Sequence, residues 1–165
     1  MRRLVVLLLV ALLAACDAGG GNAAPGSLQQ NAELRTVVDG DTITVYIDGR
    51  TERVRLIGID TPETKKPDTP VECFGPEASA FTTKLLPVGT PLHLQRDVEA
   101  RDKYGRLLAY VYRVKDGMFV NLEIIAKGYA RLLTIPPNVT HVDTFVTAAR
   151  TAQRQNLGLW SGCTG

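Results

Sequence analysis

Hydrophobic and β-branched residues gather in short runs over the first part of the chain, separated by turns centred on glycine. Residues 33–38, 42–47 and 53–59 are each rich in Val, Ile and Thr, the composition of strands that fit a pleated, half-buried surface. Asp48-Gly49, between the second and third runs, predicts a tight hairpin turn of the primed kind. Residues 91–99 and 106–113 supply a fourth and a fifth strand. Within the fourth, His93 lies between Leu92 and Leu94, so alternation turns it outward, and we give it no role.

The spacing then changes to that of helices. Gly75-Pro76-Glu77 opens one, with proline in the first turn and an acid at the positive end of the dipole. Ala78, Phe81 and Leu85 share its inner face, and Pro87 stops it. A shorter helix is expected after Asn121 as its cap, with Leu122, Ile125 and Ala126 inward and Gly128 past its end. Beyond Pro136-Pro137-Asn138, the capping-box spacing of Thr140 and Asp143 predicts a last helix buried through Val142, Phe145, Val146 and Ala149. His141 falls in its first turn and is accounted for by capping. Five strands and three helices in this order predict an α+β domain, a small Greek-key β-barrel with the helices packed on it. There are no internal repeats.

The ends of the chain change the picture of where it works. Met1-Arg2-Arg3 and the apolar run to Ala15 read as an export signal, basic and then hydrophobic and then small. The run is too short to serve comfortably as a membrane span. Leu13-Ala14-Ala15-Cys16 has the form of a bacterial lipobox, which makes residues 1–15 a leader and Cys16 a lipidated first mature residue. Residues 16–32 then carry that cysteine and a Gly-, Ala- and Asn-rich tether of roughly 20–24 Å average reach, leaving 33–165 as the folded domain. The chain is thus expected to be a cell-envelope lipoprotein with its folded domain outside the cytoplasm. With Cys16 lipidated and the compartment oxidising, Cys73 and Cys163 remain as a disulfide pair. The formal charge is +2 over 165 residues and falls to 0 once Arg2 and Arg3 leave with the leader. Bulk positive charge therefore says nothing in favour of a nucleic-acid partner, and any such argument must come from a site.

Candidate chemistry sits in three fragments. In Arg55-Leu56-Ile57-Gly58-Ile59-Asp60-Thr61-Pro62-Glu63 an apolar strand breaks at Thr61-Pro62, leaving Asp60 and Glu63 at its end. Arg55 and Asp60 would face opposite ways on a flat strand, so their convergence requires a bulge or sharp twist, for which Gly58 is the candidate. Val38-Asp39-Gly40-Asp41-Thr42 adds Asp41 on a tight turn, and Asp102-Lys103-Tyr104-Gly105-Arg106 adds a second arginine on a glycine turn before a strand. Taken singly, each is explained by turn chemistry or a solvated edge. Taken together, two acidic clusters suggest a hard-cation site with oxygen ligands, and two arginines suit a phosphodiester. The lysines of residues 64–74, Lys65 and Lys66, lie on an expected mobile loop beside this site.

The motifs VVDGDT, RLIGIDTPE, FGPEASAF and DKYGRLLAY, in this order, resemble those of the staphylococcal nuclease (thermonuclease) family over residues 34–160. The resemblance implies a five-stranded OB-fold and a calcium-dependent phosphodiesterase acting on DNA and RNA with little sequence preference, expected to be a monomer. It further implies Asp41 and Asp60 as carboxylate ligands of calcium, with Thr61 giving a backbone carbonyl. Glu63 matches a proposed general base, Arg55 and Arg106 the arginines on the reacting phosphate, and Lys103 and Tyr104 a hold on a neighbouring phosphate. The chain departs from the family pattern at Leu133 and Ile135, which stand where two tyrosines commonly face the substrate. Two rival readings are a non-catalytic nucleic-acid-binding module and a structural calcium-binding envelope lipoprotein. The first is opposed by the survival of all five key positions, and the second leaves Arg55 and Arg106 without work.

Overall fold

The computed structural model describes residues 28–64 and 70–163. The leader, Cys16, most of the tether, and Lys65 and Lys66 lie outside the described residues. Three strands come first: β1 (Ala32–Val37), β2 (Thr42–Ile47) and β3 (Arg50–Leu56). Asp48 and Gly49 turn the β2–β3 hairpin with φ of 50° and 77°, the left-handed pair a primed turn demands. That tight turn lets β3 begin at Arg50, three residues before the predicted start.

A barrel forms when β5 (Pro91–Gln95) pairs with β1 and with β6 (Leu107–Arg113), and β6 returns alongside β3. The closing pair is parallel, with Val54, Leu56 and their partners Leu107 and Ala109 directed inward, whereas the other barrel pairs are antiparallel. The result is the expected five-stranded OB-type barrel. Alternation places Leu34, Ile43, Val45, Val54, Leu56 and Leu92 inside it, all essentially inaccessible to solvent. The fourth strand stops at Gln95 rather than Glu99, because Asp97 and Glu99 leave the sheet to bond Thr140 and Asn138.

The helices close the open faces. α1 (Gly75–Leu85) buries Ala78, Thr82 and Leu85, while Phe81 is only partly covered and stacks on Tyr129 at 4.0 Å. The short strand β7 (Met118–Phe119) leads straight into α2 (Val120–Ala126), whose inward residues are Val120, Asn121, Ile124 and Ile125. Asn121 is thus not a cap: the helix begins two residues earlier than predicted, with Phe119 before it, and while Ile125 is buried as expected, Leu122 and Ala126 are only partly covered. α3 (Val142–Arg154) buries Phe145 and Ala152, with Val142, Val146 and Ala149 half-covered. Its predicted capping box is absent, since the Thr140 hydroxyl donates to Asp97 instead. A final helical turn, α4 (Leu159–Gly162), ends the described chain.

Candidate active site

The chain from Arg55 to Asp60 is not one strand. β3 ends at Leu56, Ile57 and Gly58 turn, and β4 (Ile59–Asp60) pairs with β8 (Arg131–Leu132) in a separate two-stranded sheet. Gly58 has φ of 84°, and a Cβ there would run into the Phe145 ring, so glycine alone fits. Asn121 holds this turn from beneath, accepting from the Val111 N–H at 2.9 Å and donating to the Ile57 and Ala109 carbonyls at 2.9 and 3.3 Å.

The turn overcomes strand alternation and brings Arg55 onto both acids. Arg55 Nη2 lies 2.8 Å from Asp60 Oδ1 and 3.1 Å from Asp41 Oδ2, while Nη1 donates to the carbonyls of Ile59 at 2.8 Å and Leu56 at 3.0 Å. Asp41 is only 5% exposed, whereas the Asp60 side chain is half in solvent. Thr61 closes over Asp41, donating its N–H at 2.7 Å and its hydroxyl at 3.0 Å to Oδ2. On the other side Thr42 donates to Oδ1. Burial pushes the Asp41 carboxyl up to about 6, against the pull of Arg55; nearby Asp39 adds to the rise, and the Thr61 hydrogen bonds oppose it.

Glu63 lies just past this pair, its Oε1 accepting from the Thr64 N–H at 2.8 Å. Its backbone is joined to Glu72 in both directions, with Glu72 N–H donating to Glu63 O at 2.9 Å. Cys73 follows at once, and its sulfur is at disulfide distance from that of Cys163.

Arg55 also forms one wall of a cavity of about 380 Å³. Lys103, Tyr104 and Arg106 line it from the turn before β6, and Leu133 and Ile135 from the segment after β8. Asp102 organises that turn, accepting from the N–H groups of Tyr104 and Arg106 and from Arg106 Nε at 2.7 Å. The Tyr104 ring is 72% exposed, with the Lys103 ammonium 5.0 Å and the Arg106 guanidinium 5.4 Å from its centre. Among the described residues the fold thus gathers Arg55, Lys103, Tyr104 and Arg106 in one cavity, and sets Asp41, Asp60 and Thr61 on the far side of Arg55. Such an arrangement can bind a phosphate between two guanidinium groups beside a pair of carboxylates.

The family model described as Staphylococcal nuclease homologue matches residues 53–162. The chain belongs to the staphylococcal nuclease family. A thermonuclease of Staphylococcus intermedius is 46% identical over 127 residues, covering 77% of this chain and 74% of its own. A thermonuclease of Staphylococcus hyicus is 41% identical over 133 residues, 81% of this chain and 77% of its own. Endonuclease YncB of Bacillus subtilis is 41% identical over 79% of this chain and 62% of its own length. Like its family, the protein is a nuclease, a hydrolase of phosphodiester bonds.

Among the described residues, no three His, Cys, Asp or Glu side chains are grouped to hold a metal ion. The donors beside Arg55 are two carboxylates and the oxygens of Thr61, hard ligands that suit a cation keeping several waters. A buried carboxyl with a raised pKa is short of positive charge, and a hard cation would supply it. The residues therefore fit such an ion. Two supports of the site were not read from the sequence. Asn121 looked like a cap because a polar residue before an apolar run has that form. Asn138, a buried residue of the cavity lining, bonds both backbone groups of Glu99 at 2.7 and 3.0 Å and fixes the loop that leads to Asp102.

Proposed function

We propose that this nuclease is calcium-dependent, cleaves DNA and RNA with little sequence preference, and works as a monomer tethered to the cell envelope by a lipid on Cys16. The observation that carries the reading is Arg55 held by Asp41 and Asp60 at the edge of the cavity that contains Arg106. Calcium held by Asp41, Asp60 and Thr61 would supply positive charge to a phosphate oxygen and orientation to the attacking water. Arg55 and Arg106 rest on carboxylates and exchange them for phosphate oxygens when substrate enters, each offering paired donors. Charge that grows on those oxygens as water adds is then met by donors already in place. On this reading Glu63 takes the proton of the water, and Lys103 and Tyr104 hold the next phosphate. The Thr61 bonds to Asp41 keep that carboxylate fixed throughout.

The test is incubation of the detergent-purified full chain with plasmid and with single-stranded RNA, in calcium or in chelator. Degradation of both nucleic acids in calcium and of neither in chelator is expected. Intact substrates in calcium would overturn the reading. Mass analysis of the membrane fraction should show an acylated Cys16 at the mature N-terminus. A soluble product lacking Cys16 would remove the tether.

A further inference from the structure

The outer face of β1, β2 and β3 carries residues that the catalytic reading leaves without work. Val54 and Leu56 point into the barrel, so Arg53 and Arg55 point out from the same strand. Their Cα atoms are two strand residues, about 6.8 Å, apart, a step comparable to that between successive phosphates of an extended single strand. Across the parallel pair, Arg55 stands opposite Leu108 and Val54 opposite Leu107, which sets Arg53 beside Arg106 on this outer face. Arg53 is exposed, and beyond its backbone pairing with Thr44 its side chain makes no hydrogen bond or ion pair among the described residues.

The face continues across the antiparallel neighbours. Thr44 pairs with Arg53 and Tyr46 with Thr51, and inward-facing Ile43 and Val45 leave Thr44 and Tyr46 outside. Tyr46 is 41% exposed, a large aromatic ring on an open sheet. One side of it is occupied by the Arg35 guanidinium, 4.9 Å from the ring centre. The acid on this face, Glu33, pairs with Arg35 at 2.9 Å and leaves Arg53 unopposed. From the cavity outward the order is therefore Arg55, Arg53, Tyr46 and Arg35: two cations, an aromatic platform and a third cation.

We propose that this face is a second binding surface for the single-stranded polynucleotide, continuous with the active site, in which Arg53 and Arg35 take phosphates and Tyr46 stacks a base. Strand-tracking surfaces of this kind combine cations along the backbone with rings that accept any base. The inference rests on the nuclease reading for its substrate, and it explains how a mature chain without net positive charge could hold a long polyanion.

Binding and cleavage separate the two. Binding of a fluorescent 20-nucleotide single strand to the full chain is measured in chelator, and cleavage of the same strand and of a dinucleotide in calcium. Tyr46→Ser is expected to weaken binding of the long strand roughly tenfold. Arg53→Gln should weaken it and lower the slope of log affinity against log salt by about 0.7, one phosphate contact. Both variants should cleave the dinucleotide with the wild-type kcat and KM. Unchanged long-strand binding in both variants overturns the proposal, as does an equal loss on the dinucleotide. It is also overturned if the variants lose binding to anionic phospholipid vesicles but keep the oligonucleotide, for then the face meets a membrane. If the wild type binds the strand and never cleaves it, the nuclease reading fails and the surface stands.

Discussion

The Thr82 hydroxyl donates to the Gly40 carbonyl at 2.7 Å, both groups buried, and so ties helix α1 to the turn that carries Asp41. Thr82→Val keeps the shape and removes the donor, leaving a buried carbonyl unsatisfied at a cost of about 1–3 kcal/mol. Denaturant unfolding should show that loss as a lower midpoint with an unchanged slope. Calcium affinity should fall with it, because the turn is freed to move Asp41. An unchanged midpoint would mean that Gly40 finds another donor.

A second tie should respond to pH. Burial pushes the Asp97 carboxyl up, but hydrogen bonds from the Thr140 backbone, the Tyr110 hydroxyl and the Thr140 hydroxyl outweigh it and hold Asp97 below the usual carboxylate range. A depressed folded pKa means stability that is fully present above the ordinary Asp value near 4 and is lost as pH falls through the folded value. Asp97→Asn should therefore melt earlier than the wild type at pH 7, and the gap should close in acid. A gap independent of pH would show that Asp97 acts through geometry and not through its charge.

Within the site, Arg55→Lys keeps the charge beside Asp41 and Asp60 but loses the fork that also reaches the Leu56 and Ile59 carbonyls. The expected result is a fall in kcat of roughly 10²–10³-fold with calcium affinity nearly kept. A near-normal kcat would remove the transition-state role given to Arg55. Asp41→Ala should do the reverse and weaken calcium binding first.

Cys73 and Cys163 are 90 residues apart in sequence and connect the segment after Glu63 with the end of α4. Closing a loop of that length is worth about 4–5 kcal/mol on the chain-entropy model. The unreduced, denatured protein should titrate with no free thiol from this pair, and reduction should lower its melting temperature. Two reactive thiols before reduction would refute the bridge.

The strands, helices and motif residues were legible because they rest on local chemistry: β-branched runs, Asp48-Gly49, Pro76 near a helix start. What local pattern could not give were partners distant in sequence. Asn121 reads as a cap from its neighbours, yet its amide reaches Ile57, 64 residues back. Thr140 has capping-box spacing, yet its hydroxyl goes to Asp97, 43 residues away. Gly58 was recognised as the place where alternation had to fail, but a turn with a second small sheet is a larger break than a bulge. It places Asp60 on a different sheet from Arg55, and that is what lets them meet.

Leu133 and Ile135 stand at the two positions where the resemblance leads one to expect tyrosines. Both line the cavity beside Arg55, Leu133 anchored by its N–H to the Gly58 carbonyl at 3.1 Å and Ile135 58% exposed. An aliphatic wall can cover a base but cannot stack it, and stacking is worth about 1–3 kcal/mol per base, roughly ten- to hundredfold in affinity. With a base held away from the bond being broken, the deficit should fall on ground-state binding and show as a high KM. Leu133→Tyr with Ile135→Tyr should lower KM for a dinucleotide and leave kcat within a few-fold, since Arg55 and Arg106 are untouched. The exposure of Ile135 gives one new ring room, and a melting curve checks that the ring at Leu133 has not displaced the Gly58 turn. If the folded double variant binds the dinucleotide no better, the base is held elsewhere, and Tyr104, the exposed ring already in the cavity, becomes the residue to change next.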